Sequence, residues 1–141
     1  MTKVHFCRSS TIVGLLIQLV TFSRWNHVAL EINGTIYEAD MIYGVRKLPL
    51  APFKKMWTET QAVEVDVPNV LALYEFMEAQ LGKKYDFTAI LALPFRKDWQ
   101  DPKKWYCSEY LAGGLRKGGV PVAVREDAHR VKPNDLWTAL P

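Results

Sequence analysis

The segment "NHVALEINGTIYEAD", residues 26 to 40, constrains this chain more than any other. Asn33-Gly34 is the strongest short-range signal for a two-residue hairpin turn, because both central positions need a positive φ. Apolar and polar residues alternate on either side of it, so a register follows. Ile32 faces Thr35, Glu31 faces Ile36, Leu30 faces Tyr37, Ala29 faces Glu38 and His27 faces Asp40. Opposed and alternate residues share a face. One face therefore carries Val28, Leu30, Ile32, Thr35, Tyr37 and Ala39, almost wholly apolar. The other carries His27, Ala29, Glu31, Ile36, Glu38 and Asp40.

That second face sets an imidazole beside carboxylates. Asp40 lies opposite His27 and Glu38 is its diagonal neighbour, within reach of a long side chain. Glu31 is on the order of 13 Å along the same strand, at about 3.3 Å per residue, and is too far. A carboxylate against histidine selects one tautomer and stabilises the protonated ring, which is the orienting half of a nucleophilic triad. An exposed sheet face bearing ordinary charges shows the same pattern, so the histidine needs a nucleophile before it has a chemical meaning.

The stretch "KKWYCSEYLAGGL", residues 103 to 115, supplies one. Ser108 and Glu109 suit a first helical turn, and Leu111 and Leu115 give a buried stripe, so Cys107 stands at a helix N-terminus. Unpaired amides and the helix dipole there favour the thiolate, and the same amides can hold a developing oxyanion. The competing reading is a buried structural cysteine, the commonest fate of the residue. A histidine–carboxylate face elsewhere favours the nucleophile, since Cys-His-acid is a recurrent catalytic set.

The rest of the chain reads as α+β, with strands early and helices late. "KVHF" is a short first strand. "TIVGLLIQLVTF" follows two basic residues as a signal peptide would, but Gln18 interrupts it and no small-x-small site follows. It is also too short to span a bilayer. It is expected to be a buried helix over residues 10 to 22, capped by Ser9 or Ser10, with Ile12, Leu15, Leu16 and Leu19 on one face. "YGVRKLPL" is extended, and "QAVEVDV" is a strand with Val63, Val65 and Val67 on one side. Pro68 opens a helix that Gly82 closes. Asp86 caps "FTAILAL", which ends at Pro94, and a polar loop fills residues 95 to 104. "VPVAV" adds an edge strand, and the tail from Arg125 is irregular until "LWTAL".

The chain has 141 residues, 49% apolar and 23% charged, enough for one domain over 1–141 with one core. Its net charge of +3 is scattered in pairs such as Lys83-Lys84, so no nucleic-acid partner is expected. Two cysteines form no disulfide framework, and no Cys-x-x-Cys or His–Cys cluster suggests a metal; no cofactor is expected. The spread of tryptophans and tyrosines is that of core and rim packing, and "AGGL" and "KGGV" read as a helix interior and a helix end rather than a phosphate loop. The protein is expected to be made and kept in the cytoplasm, with no transmembrane segment, unless it leaves by a route that needs no such signal.

Taken together, "SRWNHVALEINGTIYEA", "YGV", "QLGKKYDFTAIL" and "WYCSEYLAGGL" resemble the circularly permuted NlpC-like branch of the papain-like superfamily. These are the YiiX-like hydrolases, with lecithin retinol acyltransferase-like relatives further off. The resemblance covers most of the chain and implies a small antiparallel sheet packed against helices, with the histidine strand before the cysteine helix. It implies a cysteine peptidase or amidase with Cys107 as nucleophile, His27 as base and Glu38, rather than Asp40, as the orienting acid. Tyr85 or Asp86 of "GKKYD" would line or brace the site, although Asp86 serves equally as a helix cap. The implied substrate is an amide bond in a peptide or peptidoglycan fragment, with acyl transfer or lipid and thioester cleavage as the variant the same triad would serve. A catalytically idle binding domain of the same fold is the reading from another class.

A rival pair, Cys7 and His129, follows papain's own order. Cys7 lies ahead of the expected caps rather than at a helix mouth, His129 sits in the polar stretch "REDAHRVKP", and His5 has no obvious acid partner.

Overall fold

The computed structural model describes residues 1–21, 23–85, 104–122 and 132–140. Its frame is a five-stranded antiparallel sheet in the order β4-β3-β2-β1-β5. The strands are β1 (Thr2–Arg8), β2 (His27–Ile32), β3 (Thr35–Asp40), β4 (Gly44–Pro49) and β5 (Glu59–Glu64). The first strand is thus longer than "KVHF" and lies inside the sheet, paired on both sides. The Asn33-Gly34 turn adopts φ of 49° and 84°, and the register Leu30–Tyr37, Glu31–Ile36, Ile32–Thr35 is the one the turn demands.

Both faces of the sheet are covered. The face with Val4, Phe6, Val28, Leu30, Tyr37 and Ala39 packs beneath α3 (Val70–Ala79) and α4 (Cys107–Lys117), through Leu73, Met77, Tyr110, Leu111 and Leu115. Gly113 and Gly114 of "AGGL" lie inside α4, where α3 approaches so closely that a Cβ on Gly114 would stand 2.5 Å from the Met77 sulfur. On the opposite face Cys7, Ala29 and Ile36 are roofed by Phe53 of the short helix α2 (Leu50–Lys54), with Leu48, Leu50 and Trp57 around it. The face that could have been an exposed charged surface is therefore buried.

Several local expectations are corrected. The first helix, α1 (Ile12–Thr21), is capped by Thr11, whose Oγ1 accepts from the Gly14 amide at 3.2 Å, rather than by Ser9 or Ser10. The face expected to be buried is exposed where it is described: Ile12, Leu15 and Leu19 are 79%, 51% and 68% exposed, and the Leu16 side chain lies outside the described residues. The reason is position. Other elements occupy both sheet faces, and α1 leaves the end of β1 to meet Ser9 and Asn26 instead. Asn69, not Pro68, opens α3, because its Oδ1 can accept from the free Ala72 amide at 3.0 Å. Strand β5 ends at Glu64, yet Val65 and Val67 still enter the core. Val120 and Val122 are buried but form no strand, and the last helix, α5 (Pro133–Ala139), starts at Pro133, ahead of "LWTAL". Asp86 with its "FTAILAL" helix, the loop over 95 to 103, and His129 lie outside the described residues.

A two-stranded parallel pair completes the frame: β6 (Lys84–Tyr85) beside β7 (Lys104–Trp105). Lys83 ties this pair to the sheet, its carbonyl accepting from the Val45 amide at 2.8 Å. Gly44 makes that approach feasible. Its φ is 72°, and a Cβ there would fall 2.3 Å from the Lys83 carbonyl oxygen. Gly44→Ala is expected to destabilise the protein by about 3 kcal/mol or more, since backbone strain and a backbone clash coincide. Gly34→Ala, with the same handedness but open space around it, should cost only about 1 kcal/mol. Urea unfolding midpoints of the two variants check the difference.

Candidate active site

The β2–β3 backbone ladder runs only from Ile32–Thr35 to Leu30–Tyr37. Beyond it, side chains join the two strands. His27 Nε2 lies 2.8 Å from Glu38 Oε2, the diagonal contact that the hairpin register allowed. Asp40, the other acid on this face, is spent on the next turn: its Oδ1 accepts from the Ile42 and Tyr43 amides, each at 2.8 Å. The pair is buried, with His27 6% and Glu38 0% exposed. Trp57 stacks on the imidazole at 4.7 Å between ring centroids and 11° between planes, which fixes the ring's orientation.

Cys107 is the first residue of α4, after Tyr106 in an extended conformation with no side-chain cap. Its side chain is near enough to His27 and Tyr85 to act on the proton affinity of both. With Nε2 given to Glu38, Nδ1 is the ring nitrogen left for another partner. The meeting is a matter of ends. Helix α4 packs on one sheet face and His27 points to the other, but each residue is the first of its element, at the same end of the sheet. The β6–β7 pair brings Tyr85 beside Trp105, two residues before Cys107. Cys107 is 3% exposed, among polar groups as well as hydrocarbon.

The electrostatics follow from these contacts. Burial is the largest single influence on His27 and opposes its charge. The neighbouring Cys107 and Glu38 together outweigh it and raise the imidazole pKa to about 10. Burial likewise opposes charge on Glu38, but His27 and Arg46 together hold the carboxyl below its ordinary value. Burial, and after it the neighbouring Cys107, pushes the Tyr85 hydroxyl far up, so it remains a donor.

The rival nucleophile fares differently. Cys7 sits mid-sheet opposite His27 in register but is 0% exposed, and burial, then the Glu38 charge, raises its thiol pKa strongly. His5 does have an acid partner, contrary to expectation. Its Nε2 lies 2.7 Å from Glu31 Oε2, because β1 pairs with β2 and puts Glu31 one step diagonally from His5. The sequence also concealed Arg46 and Trp57. Arg46 could have been found by extending alternation through the turn before Gly44, which sets it opposite Glu38; Trp57 carries no such signal.

No protein-family model matches the chain, and no curated protein matches it. Among the described residues, no helix is long and apolar enough to cross a membrane.

The linkage to pH has a definite sign. His27 is raised above its ordinary 6.5, so its contribution to stability is complete below 6.5 and is lost as pH rises through about 10. Glu38 is lowered below 4.5, so its contribution is present above 4.5 and is lost as pH falls through its folded value. The His27 ring should remain protonated at pH 8, read by its ¹⁵N chemical shifts. Glu38→Gln should lower that titration and cost about 3–5 kcal/mol in urea unfolding, because it leaves a buried cation without its partner.

Proposed function

We propose that this protein is a cysteine hydrolase of the circularly permuted NlpC-like, papain-like type, with Cys107 as nucleophile, His27 as base and then acid, and Glu38 as the orienting acid. The observation that carries the reading is the chain of contacts Cys107–His27–Glu38, with a histidine that favours its protonated form. The Cys107 sulfur attacks the substrate carbonyl, and the developing oxyanion is held by backbone amides at the start of α4. His27 gives its proton to the leaving amine, and the thioester is then hydrolysed by water that His27 deprotonates. The Tyr85 hydroxyl, kept protonated by burial beside Cys107, can donate to the sulfur and hold it before attack. Amide bonds in peptides, peptidoglycan stem peptides among them, are the substrates to try first.

Thiol labelling tests the reading directly. Iodoacetamide should alkylate Cys107 well above the rate of a free thiol at neutral pH. His27→Asn should lower that rate by about a hundredfold. Cys7→Ser should leave it unchanged, and Cys107→Ser should abolish both labelling and peptide cleavage. Cleavage should also fail as pH rises through about 10, when His27 loses the proton that the leaving amine needs. Labelling no faster than a free thiol would indicate a catalytically idle domain.

A further inference from the structure

Resting on that reading of the triad, we infer that Arg46 is a positioning residue for it: its guanidinium clamps one oxygen of Glu38 and so aims the other at His27. Arg46 faces Glu38 across the β3–β4 ladder. Its Nε donates to Glu38 Oε1 at 2.8 Å, and a terminal nitrogen reaches the same oxygen at 2.7 Å. Both contacts converge on Oε1, so Oε2 is left for the His27 ring at 2.8 Å. A planar fork holding one oxygen sets the rotation of the carboxylate as well as its charge, which a point charge does less well.

The clamp is itself held. The Arg46 guanidinium lies over the Tyr43 ring at 4.5 Å, touches Asp40 Oδ2 at 3.5 Å, and has the Met56 sulfur at 4.0 Å. The charged and titratable groups that act on Glu38 are His27 from β2, Arg46 from β4, Cys7 from β1 and, through His27, Cys107 from α4; Asp40 acts on the guanidinium. Arg46 and His27 are the two cations of this set, and Glu38 is fully buried. Without Arg46, the carboxylate would face burial with only the imidazolium opposing it. It would accept a proton at higher pH, and the thiolate–imidazolium pair would lose its acid partner sooner as pH falls.

The test is the pH profile of Cys107 alkylation by iodoacetamide in the full chain, together with the ¹⁵N titration of His27. Arg46→Met should move the acid edge of the labelling profile upward by about one pH unit, tenfold in proton concentration. Arg46→Lys should bring the edge back toward wild type, because the cation returns. Should Arg46→Met fail to fold, Arg46→Gln, polar and uncharged in the same space, is read in its place. If Arg46 acts through Glu38, adding Arg46→Met to Glu38→Gln should change labelling no further, whereas a merely structural arginine would add a second loss. An unmoved acid edge in the uncharged variant, a lysine variant no better than methionine, or additive losses in the double variant would each overturn the inference. Cys107→Ser separates the two levels. If it leaves the His27 titration unchanged, the nucleophilic pair itself is wrong; if it shifts that titration while the acid edge ignores Arg46, only the role of Arg46 falls.

Discussion

Glu38 carries a full negative charge where no solvent reaches it. A buried carboxylate is costly unless cations and hydrogen bonds surround it, and here two cations do. One comes from β2 and the other from β4, so the acid on the strand between them draws its neighbours together where the β2–β3 backbone ladder has ended. The cover over this face, Phe53 and Trp57, closes on a pair that is already neutralised. The same interaction anchors the imidazole through its Nε2.

The comparison with His5 shows that an acid partner alone does not make an imidazolium. His5–Glu31 and His27–Glu38 lie on the same sheet face at nearly equal distances, 2.7 and 2.8 Å. Their proton affinities move in opposite directions. His5 is lowered, because burial outweighs Glu31 and because Lys54 and Lys3 add positive charge. His27 is raised because Cys107 as well as Glu38 acts on the ring, and together they outweigh burial. Cys107 beside the ring, in addition to the carboxylate behind it, is what sets His27 apart from His5.

The geometry of the site is economical in its elements. Helix α4 packs its apolar stripe on one sheet face and the histidine pair lies under the other, so only residues at element ends could meet. Cys107 and His27 are both first residues, and the short β6–β7 pair adds Tyr85 to the same end. Gly44 admits the Lys83 carbonyl and holds that pair close to the sheet.

Local signals along the chain determined the hairpin, its register, the split between an apolar and a charged face, and the helix that begins at Cys107. Each of these depends on turn chemistry or on side-chain periodicity within a few residues, which a sequence displays openly. The alternation also limited the partners of His27 to Glu38 and Asp40. Only the folded chain spent Asp40 on a backbone turn, gave His5 its acid through β1–β2 pairing, turned Ile12, Leu15 and Leu19 outward, and set Arg46 and Trp57 against the His27–Glu38 pair. Those outcomes depend on which strands become neighbours and which faces are already occupied. Such contacts join residues far apart in the chain, and no local pattern records them.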